Sequence, residues 1–151
     1  MITIITVGNL KEKYLKAAEE EYLKRIKKYN NIKIIEVKEE TEKEDFINLE
    51  NEAKKISNYI NSKDYIITLE IEGEELSSIE LSKKIESINM INSNITFIIG
   101  SSNGLSNIIK EKSNYKLSFS KLTFPHQLFR ILLLEQIYRS YKIINNEKYH
   151  K

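Results

Sequence analysis

The feature that most constrains this chain is the alternation of short, isoleucine-rich apolar runs with longer stretches in which apolar residues recur every three or four positions. The short runs are typical of buried strands and the periodic stretches of amphipathic helices. Strands that alternate with helices favour an α/β fold with a mostly parallel sheet. The predicted strands are residues 1–7, 32–37, 65–71, 95–99 and 115–119, and the predicted helices are residues 10–28, 41–60, 77–88, a short segment after Ser106, and 125–144.

The third and fourth predicted strands are almost wholly apolar, which predicts that helices cover both faces of the sheet. No linker or internal repeat interrupts the pattern, so residues 1–151 are expected to form a single domain. In the second helix, Phe46 and Ile56 are expected to face the core. Local signals set the expected element ends: a capping box of Thr41 and Glu44, a break at Gly73, caps at Ser77 or Ser78 and at Ser106, and Pro125 in the first helical turn.

Composition narrows the classes of protein to which the chain can belong. The chain has no cysteine, which excludes disulfides and thiolate metal sites and agrees with a reducing cytoplasm. No run approaches the ~18 apolar residues of a membrane span. We therefore expect a cytoplasmic protein with no membrane partner and no metal.

The net charge of +2 conceals an uneven distribution along the chain. Residues 1–109 carry a net charge of −4, and residues 110–151 carry +6. A basic C-terminal part suggests an anionic partner such as nucleic acid, although a solvated lysine-rich surface explains the charge equally well.

The last predicted helix is apolar on nearly every side over residues 128–141. Such a helix is buried on more than one side. One side can cover the sheet, and a homodimer partner is the simplest cover for the other. The alternative is a helix enclosed within one large core.

Ligands in parallel α/β sheets bind at the carboxyl ends of the strands. Three such ends carry candidate residues: 69–73, 100–104 and 119–124. The middle one has Gly100 and Gly104 four positions apart with no following lysine, so it is neither a dinucleotide fingerprint nor a P-loop. On its own this loop fits a ligand site or an ordinary strand-to-helix turn equally well.

The chemically versatile side chains concentrate near the C-terminus, where both histidines and two of the three arginines lie. Glu135 and Arg139 have the spacing of a helical ion pair, which is more often structural than catalytic. His126 alone is more often a capping or packing residue. The segment with Tyr149 and His150 has little apolar sequence to bury, and such segments are usually frayed.

Taken together, five segments resemble the RlmH (YbeA) family of SPOUT-class methyltransferases, which act on pseudouridine N3 of 23S rRNA. The segments are ITIITVGNLKEKY, ITLEIEGEELSS, FIIGSSNGL, YKLSFSKLTFPHQLFRILLLEQIYRSYKI and the closing YH. The family usually reads I-G-G-[SP]-x-G-L in the third segment, and here Ser101 stands at the second glycine. A serine fits there only if φ is not strongly positive or the loop shifts slightly.

The resemblance implies a homodimeric SPOUT fold with a C-terminal trefoil knot, which methylates the rRNA on assembled ribosomes. It implies S-adenosylmethionine (AdoMet) as cofactor, and it places Glu135, Arg139, Tyr149 and His150 beside the transferred methyl group. Restoring glycine at Ser101 is expected to leave AdoMet affinity equal or better. The alternative function is a non-enzymatic ribosome- or RNA-binding protein on a degenerate SPOUT scaffold. The implied cofactor residues are Leu69, Gly100, Phe119, Ser120, Lys121, Leu122, Thr123 and Phe124.

Overall fold

A computed structural model describes residues 1–151. Five strands alternate with five helices along the chain, as the sequence predicts. The elements are β1 (Ile2–Val7), α1 (Lys13–Ile26), β2 (Ile32–Val37), α2 (Asp45–Ser57), β3 (Tyr65–Glu75), α3 (Ser78–Ile91), β4 (Ile95–Ile99), α4 (Asn107–Glu111), β5 (Tyr115–Ser118) and α5 (His126–Ile144).

The five strands form one sheet in the order β2-β1-β4-β3-β5, and every neighbouring pair is parallel. Residues of α1, α3 and α5 pack in one apolar cluster, and residues of α2 and α4 pack in another. Successive strand residues such as Ile4 and Ile5 enter opposite clusters, because neighbouring side chains of a strand point to opposite faces. The α/β fold with helices on both faces is therefore confirmed. The knot stays a prediction.

The third strand continues through Gly73 instead of ending there, so that prediction is wrong. The strand pairing with β5 shifts register between Leu69 and Glu74, both of which lie opposite Leu117. A Cβ on Gly73 would come within 2.8 Å of the backbone of Lys116 and Leu117. Glycine therefore lets β3 continue past the β5 backbone as a bulge.

Two predicted caps at helix starts differ in outcome. Ser77 caps α3: its hydroxyl accepts from the Glu80 N–H, and the Glu80 carboxylate accepts from the Ser77 N–H. The Thr41–Glu44 box does not form, because α2 begins only at Asp45. The Asn48 side chain instead bonds the N–H and C=O of Lys43 and organises this turn.

Three further local predictions need correction. Ser106 occupies the N-cap position of α4, but its buried hydroxyl has no hydrogen-bond partner. Pro125 is the N-cap of α5 and not part of its first turn. Phe46 is 72 % exposed, because α2 turns Asn48 and Glu52 inward with Ile56.

The apolar helix α5 packs between α1 and α3 against the sheet. Leu133, Leu134 and Ile137 are fully buried, whereas Leu128 is 41 % exposed. Much of the apolar surface of α5 thus lies within one chain, and its N-terminal part retains an uncovered leucine. No helix of the fold combines the length and apolarity that crossing a bilayer requires.

Candidate active site

A cavity of about 720 Å³ opens at the carboxyl ends of β3, β4 and β5. Its wall includes the end of each strand, the loop after β4 and the segment that leads from β5 into α5. This is the edge at which parallel sheets bind ligands. Its volume lies within the range of small-molecule sites, roughly 300–1,000 Å³. The fold therefore brings the three strand ends picked out in the sequence to one cavity.

Seven of the eight residues that the resemblance implies for the cofactor line this cavity, and only Lys121 does not. Lys121 lies in the same segment with an exposed side chain. The seven come from three separate parts of the chain, so tertiary structure has assembled them. They are Leu69, Gly100, Phe119, Ser120, Leu122, Thr123 and Phe124.

The loop after β4 forms a tight turn that only glycine permits at two positions. A Cβ on Gly100 would lie 2.3 Å from the Gly104 carbonyl oxygen. Gly104 has φ +82°, and its N–H donates to the Ser101 carbonyl oxygen at 2.9 Å. Ser101 is not among the residues with positive φ, which satisfies the condition set by the sequence. The loop thus keeps a close backbone approach at Gly100 while carrying a side chain at Ser101.

The segment between β5 and α5 is held by its own serines and by aromatic packing. The Ser120 hydroxyl accepts from the Leu122 N–H at 3.0 Å, and the Ser118 hydroxyl donates to the Ser120 carbonyl at 3.2 Å. The ring of Phe129 on α5 lies 4.8 Å from Phe119, centroid to centroid. These contacts fix a wall of backbone polar groups and aromatic rings, which is suited to a flat, polar-edged ligand.

Three charged side chains of this cavity were not singled out from the sequence, Glu72, Lys110 and Glu70, and Glu70 is the most buried of them. Its side chain is 5 % exposed, it accepts from the Thr68 hydroxyl at 2.7 Å, and one oxygen lies 3.8 Å from Lys110 Nζ. Its position directly after Leu69, in a strand end already selected from the sequence, is the feature that could have identified Glu70 as a site residue.

A second cluster joins Glu135, Arg139, Tyr149 and His150 at the C-terminal end of α5. The Arg139 guanidinium donates to Glu135 at 2.6 Å, and the Tyr149 hydroxyl donates to the same Glu135 oxygen at 3.1 Å. Arg139 Nη1 lies 3.3 Å from His150 Nδ1. The Arg139 guanidinium also lies over the Tyr149 ring, 4.6 Å from its centroid. The four residues named together in the sequence are therefore neighbours in the fold.

The charges of this cluster shift two pKa values. The hydrogen bonds that Arg139 donates to the Glu135 carboxylate raise the pKa of Arg139, so the guanidinium stays charged. Burial, aided by the bond to Glu135, raises the pKa of Tyr149 to about 12. Tyr149 is therefore a neutral phenol at physiological pH.

The segment after α5 is anchored and not frayed. Glu147 accepts from the Tyr29 hydroxyl at 2.9 Å and from the Lys142 ammonium group. The Lys142 contact, followed by the Tyr29 contact, lowers the pKa of Glu147. The Tyr149 ring packs edge-on against Tyr138 at 4.9 Å between centroids. These contacts hold residues 147–150 on the surface of α1 and α5.

The cluster and the cavity are separate within one chain. The cavity meets α5 at His126 and Phe129, and none of the four cluster residues lines it. From His126 to Arg139 the helix rises about 20 Å. No group of three or more His, Cys, Asp or Glu side chains converges in a metal-binding arrangement.

A cavity bordered by a glycine turn at the carboxyl ends of parallel strands is the kind of site at which α/β proteins bind small molecules. The chain matches the family model described as "Predicted SPOUT methyltransferase" over residues 1–150, and it belongs to that family.

Proteins with similar sequences carry names that are consistent with this family. The chain is 52 % identical over 157 aligned residues to "Ribosomal RNA large subunit methyltransferase H" of Clostridium botulinum (strain Alaska E43 / Type E3), with 99 % of each chain covered. It is likewise 52 % identical to the protein of that name from Clostridium tetani, again with 99 % of each covered. A solved "probable methylase family protein from Haemophilus influenzae Rd KW20" superposes with a TM-score of 0.63 at 14 % identity, covering 99 % of this chain and 70 % of that one, and supports the fold.

Proposed function

We propose that this single-domain protein uses AdoMet to methylate N3 of a pseudouridine in 23S rRNA, on assembled ribosomes in the cytoplasm. The observation that carries the proposal is the convergence of seven implied cofactor residues, from three segments of the chain, on one strand-end cavity. The names of the relatives support rRNA as the substrate.

The residues of the cavity fit AdoMet. The lack of a side chain at Gly100 lets the loop fold tightly against Gly104 at the cavity wall, and the segment 119–124 offers backbone donors and acceptors beside aromatic rings. Leu69, Gly100 and residues 119–124 would hold the cofactor, with Lys121 contributing through its backbone. When bound, AdoMet supplies an electrophilic methyl group. Because methyl transfer is an in-line displacement, the main task of the protein is to position the two reactants.

The four-residue cluster supplies the groups that the nucleotide base needs. The N3–H of the base must lose its proton as N3 attacks, and a nearby base can accept it. Tyr149 stays protonated because its pKa is raised to about 12. Glu135 already accepts from Arg139, Tyr149 and Gln136. The His150 side chain is exposed and has only one hydrogen-bond partner, Arg139, so it has the fewest contacts to release and is our choice of proton acceptor.

Arg139 and Tyr149 have complementary tasks in this proposal. The Arg139 guanidinium stabilises negative charge that develops on the base carbonyls. The Tyr149 ring stacks on the base, a contact worth about 1–3 kcal/mol. Glu135 fixes the orientation of both side chains through its hydrogen bonds.

A homodimer joins the cluster of one protomer to the cavity of its partner. Within one chain the cavity meets the N-terminal part of α5, whereas the cluster lies on its middle and C-terminal part, and no cluster residue lines the cavity. The exposed Leu128 near the start of α5 offers apolar surface for the contact. In a two-fold dimer each contact occurs twice, so both composite sites form together.

Two measurements test the proposal. Titration calorimetry with AdoMet should show binding, and AdoMet at a hundredfold excess over Kd should add about 2.7 kcal/mol to the free energy of unfolding. Tritium from labelled AdoMet should enter 23S rRNA of ribosomes that lack the modification. Cofactor binding without methyl transfer to any ribosomal substrate would point to the non-enzymatic RNA-binding alternative. Absence of AdoMet binding would contradict the proposal.

A further inference from the structure

Glu52 on α2 is a carboxylate buried behind the loop that follows β4. It is 2 % exposed, and both of its oxygens are hydrogen-bonded. Oε2 accepts from the Ser101 hydroxyl at 3.0 Å, and Oε1 accepts from the Glu40 N–H at 3.0 Å. No cation pairs with this carboxylate. A buried acid without a counter-charge is unfavourable for stability, so a residue of this kind calls for an explanation in function.

The partner of Glu52 lies in the most constrained part of the cavity wall. Ser101 is 8 % exposed, follows Gly100 directly and pairs through its backbone with Gly104. Ser101 therefore cannot move without displacing Gly100, whose close approach to Gly104 shapes this turn of the cavity wall. The hydroxyl of Ser101 thus connects α2 to the ligand-facing backbone.

Two neighbouring contacts join the same segments but are weaker. The Ser102 hydroxyl meets Glu39 at 3.5 Å, and the Asn103 amide meets Asp45 at 3.2 Å. Both contacts are exposed, and exposed polar contacts contribute little against water. The Glu52–Ser101 bond is buried, where a hydrogen bond to a charged group is strongest.

We propose that Glu52 is a positioning residue for the cofactor: through Ser101, it holds the 100–104 loop in the shape that binds AdoMet. This inference rests on the proposed function for the identity of the ligand. Glu52 itself lies outside the residues that line the cavity. It acts on the ligand only through the loop.

The pairing also changes the expectation for Ser101. From the sequence, glycine at this position should bind AdoMet equally well or better. Our proposal gives the opposite expectation, because glycine removes the only side-chain donor to Glu52. In this proposal Ser101 and the inward-facing Glu52 act together to hold the loop that binds the cofactor.

The experiment compares Ser101→Ala, Glu52→Met, Glu52→Gln and the Ser101→Ala/Glu52→Met double variant. Glu40→Gln is the matched control, since the Glu40 side chain neighbours Glu52 but pairs with Lys55 outside the loop. Each protein is titrated with AdoMet by calorimetry and melted without ligand. Amide hydrogen exchange of residues 100–105 is measured in the ligand-free proteins.

Ser101→Ala and Glu52→Met should each raise the AdoMet Kd by about three- to tenfold, the effect of one buried hydrogen bond. The double variant should be no weaker than the worse single one, because both remove the same interaction. Exchange of the loop amides should quicken in all three. Glu52→Gln should retain most affinity, since an amide can still bond Ser101, and Glu40→Gln should match the wild type.

The melting temperature separates positioning from a structural role. Replacing an unpaired buried carboxylate by methionine should leave stability equal or higher while affinity falls. Unchanged affinity and loop exchange in Ser101→Ala would overturn the inference, even if the wild type binds AdoMet. Additive losses in the double variant would also overturn it. If Glu52→Met fails to fold, Ser101→Ala and Glu52→Gln still decide the matter. A wild type that does not bind AdoMet would instead contradict the proposed function, and the inference with it.

Discussion

The Tyr149 hydroxyl donates to Glu135 Oε1 at 3.1 Å, so a residue beyond the end of α5 bonds a carboxylate in the middle of that helix. The same oxygen accepts from Arg139. One carboxylate therefore fixes the positions of both an aromatic ring and a guanidinium. Deletion of residues 149–151 tests whether this arrangement contributes to methyl transfer.

Deleting residues 149–151 should abolish methylation of ribosomes and leave AdoMet affinity nearly unchanged, because none of these residues lines the cavity. The measurements are tritiated-methyl incorporation and a calorimetric titration on the same truncated protein. Truncation after Tyr149, which removes His150 and Lys151 but keeps the Tyr149 ring, is the matched control. Loss of a general acid or base typically lowers the rate by ~10²–10⁴-fold. If the protein without residues 149–151 keeps its activity within about threefold of wild type, the reaction does not use this cluster.

Leu128→Glu should convert a dimer to a monomer. Leu128 is 41 % exposed in one chain, so the charge is tolerated there, but burial of an unpaired charge at an interface costs several kcal/mol. Met90→Glu, at an apolar position 77 % exposed on α3, is the control. Sedimentation should give twice the 17.8 kDa chain mass for wild type and control. A wild-type monomer with full methylation activity would contradict the composite site.

Gly100→Ala should weaken AdoMet binding by more than about 100-fold, because its Cβ would lie 2.3 Å from the Gly104 carbonyl oxygen and force the loop open. Ser87→Ala, at an exposed position of α3 outside the cavity, should bind normally. Calorimetry measures both, and circular dichroism confirms the fold. Normal affinity in Gly100→Ala would mean that the cofactor does not contact this turn.

Arg130→Met should lower the free energy of unfolding by about 3 kcal/mol. Arg130 is 1 % exposed, and it bonds Glu19 of α1 and Glu36 of β2 at 3.0 Å each and the Gly8 carbonyl at 3.1 Å. Lys55→Met removes a partly exposed pair and should cost about 1 kcal/mol or less. Urea unfolding compares the two variants, and equal losses would show that Arg130 does not join these elements energetically.

Glu52→Met should gain stability relative to wild type as the pH rises. Burial raises the pKa of Glu52 above 4.5, opposed by its bonds to Glu40 and Ser101. The native state therefore holds this proton more tightly than the unfolded state, and the contribution of Glu52 to stability falls as pH rises through the raised pKa. Urea unfolding at about pH 4 and about pH 7 should show the difference only at the higher pH. A pH-independent difference would mean that Glu52 titrates normally.

Local chemistry explains which predictions succeeded. The five strands and the helix cap at Ser77 depend on neighbouring residues, and both are confirmed. The break predicted at Gly73 was wrong because glycine is needed there for a different reason. A side chain at this position would clash with the backbone of β5, which lies some forty residues further along the chain. Phe46 was misread because apolar periodicity gives no sign that a helix will bury Asn48 and Glu52 in preference to an aromatic ring.

The same distinction holds for the candidate site. The strand ends were found from the sequence because parallel sheets bind ligands there. The resemblance to the family grouped Glu135, Arg139, Tyr149 and His150 as site residues. Their contacts with one another are known only from the structure. Glu52 could not be found, since its significance depends on the packing of α2 against a loop about fifty positions away.

The strand order has a consequence for synthesis of the protein in the cell. Every residue of β1 is buried, yet one of its two neighbouring strands, β4, is made late. Ile95 of β4, the partner of Ile2, follows it by 93 residues. At about 5–20 residues per second, translation leaves one edge of this isoleucine-rich strand unpaired for about 5–20 s. During that interval the nascent chain presents the kind of apolar segment that chaperones bind. We expect its yield at high expression to depend on them more than that of a helical protein of equal length.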